Sequence, residues 1–288
     1  MNQQTTYAPE VRQLFNLGRP NAWPQRGELP EDVTLDEYVH RFNLRKEHLP
    51  ELLQLVRILA EPQTEENWDE VSGYAPIHAW RAIGELQTVE AVQPLLELLP
   101  AFGDTGDAWF IEEFPHVFGM IGPAALDVLA SYFEDGNYDQ FDRHTAAAGM
   151  NCIAERHPEA RSQVLELMTA ALDRQEEQAW EFYGFLICTL VDMQAVEAAE
   201  SIERAFAADL VADDICGDWF YVKEQLGVEG MGLPMPRPPR SASKPQFRFD
   251  RPVFGPTYPE TPSELRKKKK RRDKAKAKAA KRSRRRAK

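Results

Sequence analysis

The chain has 288 residues with a formal net charge of -11, enough for one large domain or two small ones. That charge is a sum of two unlike parts: Met1–Met235 carries 14 Lys+Arg against 42 Asp+Glu, or -28, and Pro236–Lys288 carries 21 against 4, or +17. Three cysteines, Cys152, Cys188 and Cys216, stand far apart without C-x-x-C spacing. This argues against a disulfide framework or a zinc site and suits a reducing, cytoplasmic setting.

Met1–Pro9 lacks the basic and apolar regions of a signal peptide. The longest apolar stretch, Phe185–Val191, is far shorter than the roughly 18 residues of a membrane span.

In chain order, Pro9–Leu17 reads as a short helix and the Pro- and Gly-rich Gly18–Pro30 as irregular. Thr34-Leu-Asp-Glu37 matches a capping box and predicts a helix to about Phe42, with another from about Glu47 to Ala60. Apolar spacing is helical through the rest of the acidic body, and strand-like alternation with hairpin signals is missing.

The informative feature is a repeat anchored on Ala91, Ala125, Ala160 and Ala198, separated by 34, 35 and 38 residues. Four residues after each stand Leu95, Leu129, Val164 and Ile202, and eight after, Leu99, Phe133, Met168 and Phe206. Eight before stand Ile83, Val117, Cys152 and Leu190. The i, i+4, i+8 row is one face of a helix. The residue eight earlier falls on a preceding helix, across breaks at 87–88, 122–123, 157–158 and 192–193. Pro123 and Pro158 follow two of those breaks, where a missing N–H costs nothing in a helix's first turn. Each unit of about 35 residues is then a helical hairpin that needs neighbours to cover its apolar faces. The expected fold is all-α, an α-solenoid of such hairpins. Its expected divisions are an N-terminal arm (1–33), a repeat domain (34–230), a Pro-rich linker (231–265) and a disordered basic tail (266–288).

Pro76-Ile-His-Ala-Trp-Arg-Ala-Ile-Gly-Glu-Leu86 with Val89-Glu-Ala-Val-Gln-Pro-Leu-Leu-Glu-Leu-Leu99 resembles the short HEAT-like repeats named after phycobilisome lyases. The stretch from Asp36 to about Gly227, above all Phe118–Ala125 and Val196–Ala208, resembles bacterial HEAT-like proteins of unknown function. The resemblance implies a fold strongly and an activity hardly at all. Some such proteins end in a Cys-rich metal knuckle, and this chain has no Cys after Cys216.

Leu233–Pro262 holds nine prolines and should be extended and solvated. Arg266–Lys288 holds 16 basic residues and one acidic one, with no apolar residue larger than Ala, so it should not fold alone. Arg266, Lys267, Lys268, Lys269, Lys270, Arg271, Arg272, Arg284, Arg285 and Arg286 are the candidate polyanion contacts, to a nucleic acid or the ribosome through counterion release. The same charges suit folding back on the acidic body or binding an acidic protein. Gln246-Phe-Arg-Phe-Asp-Arg-Pro-Val-Phe254 sets aromatics between arginines, for stacking on bases or for docking of Phe247, Phe249 and Phe254 into a groove of the same chain. Pro236-Arg-Pro-Pro239-Arg240 has the PxxP-plus-Arg spacing that a proline-reading domain binds, but reads first as a plain spacer.

Catalytic signals are weak. Glu37-x-x-His40 and Glu113-x-x-His116 have the spacing of carboxylate-bridged metal sites, but lie in separate hairpins, and Pro115 should disturb the second helix, so no metal or cofactor is expected. Asp104, Asp107, Glu112 and Glu113 around Trp109 and Phe110, and Asp213, Asp214 and Asp218 near Trp219, read as acidic first turns. His78, His144 and His157 read as structural or solvated. Nucleophile-elbow, P-loop, Rossmann and HExxH patterns are missing, so an enzyme is not expected, and a bilin-lyase-like activity rests on the resemblance alone. Trp80, Trp109, Glu112, Glu113, Trp180, Tyr183 and Trp219 are the candidates for a surface that holds an unidentified protein partner. The expected function is therefore an interaction scaffold, with a nucleic-acid- or ribosome-associated factor as the alternative.

Overall fold

The structure, a computed structural model, describes residues 6–20, 38–60, 72–105, 109–174 and 179–228. Those residues are mostly α-helical, with no strand among them. The capping-box residues Thr34 and Glu37 and everything after Val228 lie outside the described residues.

The helices are α1 (Pro9–Arg12), α2 (Tyr38–Phe42), α3 (Leu49–Ala60), α4 (Ala75–Leu86), α5 (Val92–Leu96), α6 (Leu99–Thr105), α7 (Trp109–Ile121), α8 (Leu126–Glu134), α9 (Gln140–Arg156), α10 (Arg161–Asp173), α11 (Trp180–Asp192), α12 (Ala199–Ala207), α13 (Asp213–Cys216) and α14 (Trp219–Leu226). No single described helix is long and apolar enough to cross a membrane.

The four anchor alanines occupy one structural position. Each ends a 3₁₀ turn (Val89–Ala91, Pro123–Ala125, Pro158–Ala160, Val196–Ala198) that leads straight into an α-helix. Each donates its backbone N–H to the carbonyl three residues back: Thr88, Gly122, His157 and Ala195, at 3.1, 2.9, 2.9 and 3.0 Å. All four are buried, as are eleven of the twelve flanking apolar positions; Phe206 is half-buried beside Trp219. Alanine suits the site because a turn this tight, pressed into the interior, has room for a methyl group and little more. Before the turn the chain reverses through left-handed backbone at Gln87 (φ 49°), Gly122 (φ 86°) and Gln194 (φ 51°). Glycine meets that requirement without strain.

The helices before the bends pack in sequence, α4 on α7, α7 on α9, α9 on α11 and α11 on α13. Those after the bends do the same, α5 with α8, α8 with α10, α10 with α12 and α12 with α14. The buried apolar residues form one continuous cluster from Tyr7 to Val228.

Two local departures have simple causes. The helix after Ala91 is broken between α5 and α6, where Pro100 has no N–H for the Leu96 carbonyl. Pro115, expected to disturb its helix, sits inside an unbroken α7.

The N-terminal residues are part of the core. Val11 and Leu14 are fully buried, the Ala8 N–H donates to Glu51 at 2.7 Å, and the Gly18 carbonyl accepts from His78 Nε2 at 2.9 Å. The 1–33 arm is thus no appendage over 7–18. A pair earlier than the repeat also exists: the 3₁₀ turn Lys46–His48 joins α2 to α3, with the His48 N–H on the Arg45 carbonyl at 2.9 Å.

Candidate functional site

Contacts join residues of neighbouring bends. The His157 ring lies against Gly122, its Nε2 3.0 Å from where a Cβ would stand, and both residues precede their anchor alanines by three. Arg161, one after Ala160, pairs with Glu197, one before Ala198, at 2.8 Å, and reaches the Met193 carbonyl at 3.3 Å. Gln194 Nε2 donates to the Gln225 carbonyl at 3.3 Å. Gly122 and His157 thus meet at equivalent positions, and the other contacts tie together residues near the bends.

The helices themselves approach closely. A Cβ on Gly119 of α7 would stand 2.9 Å from the Cβ of Cys152 on α9, and one on Gly149 of α9 would stand 2.8 Å from the Phe118 ring on α7. This seam carries the Cys152 thiol to 3.7 Å from His116 Nδ1.

Glu113, expected on an exposed acidic turn, is instead buried between α4 and α7. Its Oε2 accepts from Trp80 Nε1 at 2.6 Å and Arg81 Nε at 2.9 Å, and its Oε1 from Arg81 Nη2 at 2.5 Å. The fork-on-fork geometry uses both carboxylate oxygens. Burial by itself works against the Arg81 charge, but Glu113, with Tyr38 adding to it, more than reverses this and holds the guanidinium pKa above its ordinary value. A carboxylate so occupied is a structural counter-ion and cannot serve as a base or a metal ligand. Beside it, His78 lies between Tyr38, whose hydroxyl is 2.7 Å from Nδ1, and the Gly18 carbonyl. A carbonyl only accepts, so Nε2 carries the proton, and in the neutral ring the Tyr38 hydroxyl donates to Nδ1.

The aromatic candidates divide. Trp80, Tyr183 and Trp219 are buried: Trp80 meets Phe114 edge-on at 5.4 Å, the Tyr183 hydroxyl donates to the Ala171 carbonyl at 3.3 Å, and Trp219 packs on Phe206 under Lys223. These three hold helices together and present no surface. Trp109 begins α7, its side chain outside the description, and Glu112 is half-buried on the same helix. Trp180 alone among the described candidate aromatics is exposed, at 50%. The polyanion candidates Arg266–Arg272 and Arg284–Arg286 lie outside the described residues.

A second exposed ring lies on α9. Phe141, in the first turn of α9, is 51% exposed. Its ring lies 5.2 Å from half-buried Phe185 on α11, and His144, one turn on, stacks with Phe185 at 4.9 Å. Gln140 bonds to Glu181 across the same two helices. A pattern of apolar spacing cannot find this patch, because Phe141 and Phe185 fall where a core-facing residue would also fit.

The remaining titratable groups are inert or structural. Burial pushes the Cys188 thiol up to about 12 and raises Cys216 further still, so neither is a thiolate near neutrality. Burial, with Asp139 adding to it, raises Asp142 to about 6, and burial lowers His144 to about 4. Asp213 and Asp214 are exposed, and Asp218 caps α14 by accepting from the Tyr221 N–H at 2.8 Å. Among the described residues no group of three or more His, Cys, Asp or Glu is placed to hold a metal ion. With these geometries in view, comparison with protein-family models, curated proteins and solved structures finds no match to the chain.

Proposed function

We propose that the chain is a HEAT-like α-solenoid scaffold of the cytoplasm that holds a protein partner along its helical surface. The observation that carries this reading is the contact between neighbouring bends, Gly122 with His157 and Arg161 with Glu197, together with two rows of helices that pack in order. Units repeated in this way offer a long, continuous surface whose length scales with the number of repeats. The acidic body, at -28 over Met1–Met235, favours a partner with basic segments. Glu113 taken up by Arg81 and Trp80, and two thiols held protonated, support a binding role over a catalytic one.

A crosslinking pull-down tests it, comparing the full chain with one ending at Glu264, each with and without nuclease. Protein partners retained by the shorter chain and indifferent to nuclease support the scaffold. Loss of every partner on shortening moves the function into residues 265–288.

A second reading follows from the 16 basic residues in Arg266–Lys288: a nucleic-acid- or ribosome-associated factor that grips phosphates through this segment. It predicts RNA binding whose log affinity falls linearly with log salt, at a slope of about -0.9 per phosphate neutralised on a duplex. Binding that ignores salt, or survives removal of the segment, sinks it. A bilin-lyase-like activity has the resemblance as its sole support, and unchanged bilin absorbance on mixing would dispose of it.

A further inference from the structure

The surface where α9 and α11 begin is apolar, exposed and framed by acids. Phe141 is 51% exposed, and its ring leans on half-buried Phe185, which also stacks with His144. Asp139 and Glu181, both exposed, flank it. A soluble protein rarely leaves grouped rings uncovered without a use for them.

The chain itself carries a matching segment. We infer that residues 246–254, Gln-Phe-Arg-Phe-Asp-Arg-Pro-Val-Phe, dock on the Phe141–Phe185 surface of the same molecule. Phe247, Phe249 and Phe254 supply rings for the apolar floor, and Arg248 and Arg251 meet Asp139 and Glu181 or stack on the exposed aromatic faces.

Charge and length both favour this occupant. The section from Pro236 onward is +17 and the section before it is -28, so the two attract over a Debye length before any contact forms. The description ends at Val228, and the Gln225 carbonyl just before it is tied to Gln194 at the far end of α11. From there to Trp180 is the length of a 13-residue helix, about 20 Å at 1.5 Å per residue. The 18 residues between Val228 and Phe247 span up to about 60 Å when extended. The tether thus has slack, and a short tether of this kind holds its end at an effective concentration near 1 mM. A contact too weak to matter between separate molecules is therefore well occupied within one. The docked segment covers Phe141, the most exposed large hydrophobic residue among the described ones, so any partner using that surface must displace it. The inference concerns one chain alone and does not rest on the scaffold reading.

The test places a benzoylphenylalanine at position 141 of the full chain, mixes isotopically light and heavy copies, irradiates, and maps the cross-links by mass spectrometry. The expected result is a cross-link into 246–254 within one copy, light to light or heavy to heavy. Its yield should fall about tenfold in the F247S/F249S/F254S variant, the ratio that a loss of about 1.4 kcal/mol sets. The same photoprobe at Val196, exposed in the last bend, serves as the control. Cross-links confined to 266–288, cross-links only between copies, or a yield no higher than at Val196 would each overturn the inference. So would a yield indifferent to the three Phe substitutions.

Discussion

Gly149 on α9 lies so close to Phe118 on α7 that a Cβ on the glycine would stand 2.8 Å from the Phe118 ring. Phe118 is fully buried and packs edge-on against Phe114 at 6.1 Å, so it has nowhere to retreat. Gly149→Ala should destabilise the fold by about 1–3 kcal/mol, the usual cost of forcing a methyl group into a closed core, although alanine is the better helix former. A urea titration of the purified variant reads this as a lower midpoint with an unchanged slope. Equal or greater stability would mean that the seam is looser than this distance.

Removing Glu113 should be among the most damaging single changes. The ion pair with Arg81 is almost wholly enclosed, with each side chain 4% exposed. Glu113→Ala strands a buried guanidinium and the Trp80 N–H, with an expected loss of about 3–5 kcal/mol. A double change to apolar residues of similar size, Arg81→Met with Glu113→Leu, should recover much of that loss, because no charge is left buried. Thermal melts of the single and double variants form the test, and a double variant no better than Glu113→Ala would contradict it.

Asp142 and His144 make stability depend on pH in opposite directions. Asp142 rises from 3.8 to about 6 on folding, so its contribution is fully present below the unfolded value and lost as pH rises through the folded one. Asp142→Asn should therefore raise the melting temperature at about pH 7.5 and make little difference near pH 4. His144 falls from 6.5 to about 4. Its contribution is complete above the unfolded value and fades as pH falls between the two. NMR titration of the His144 ring should give a midpoint near 4, and one near 6.5 would put the ring in water.

The two cysteines near α13 should resist alkylation. Cys188 and Cys216 are held protonated chiefly by burial, and only the thiolate reacts quickly. Iodoacetamide at about pH 8 should leave both largely unmodified in the native chain and label both within minutes once urea is added. Rapid native labelling of either, followed by mass spectrometry, would show the pocket around it to be open.

Much of the fold was legible because one physical requirement recurs. A 3₁₀ turn that ends inside the core admits a small residue, and the next helix must point its i+4 and i+8 positions the same way. Ala91, Ala125, Ala160 and Ala198 therefore carry the period in their identities. The helices ending at Phe42 and Ala60 are legible in the sequence, but not as a further unit of the repeat, because half-buried His48 stands where the other turns end in alanine, although Leu52 and Val56 keep the spacing and are fully buried. The pairing of Arg81 with Glu113 spans 32 residues, and no local pattern announces which of many carboxylates will meet a given guanidinium. Trp80 and Trp180 sit at helical spacing alike, yet one is core and the other surface. Only the packing of α7 on one side, and the start of α11 on the other, separates them.

The uniform bends also bear on how the chain reaches this shape. With successive turns 34, 35 and 38 residues apart, each hairpin closes over a short stretch and then meets its immediate successor. Relative contact order is therefore low, and the entropy of loop closure is met in small steps. Such a chain should collapse quickly.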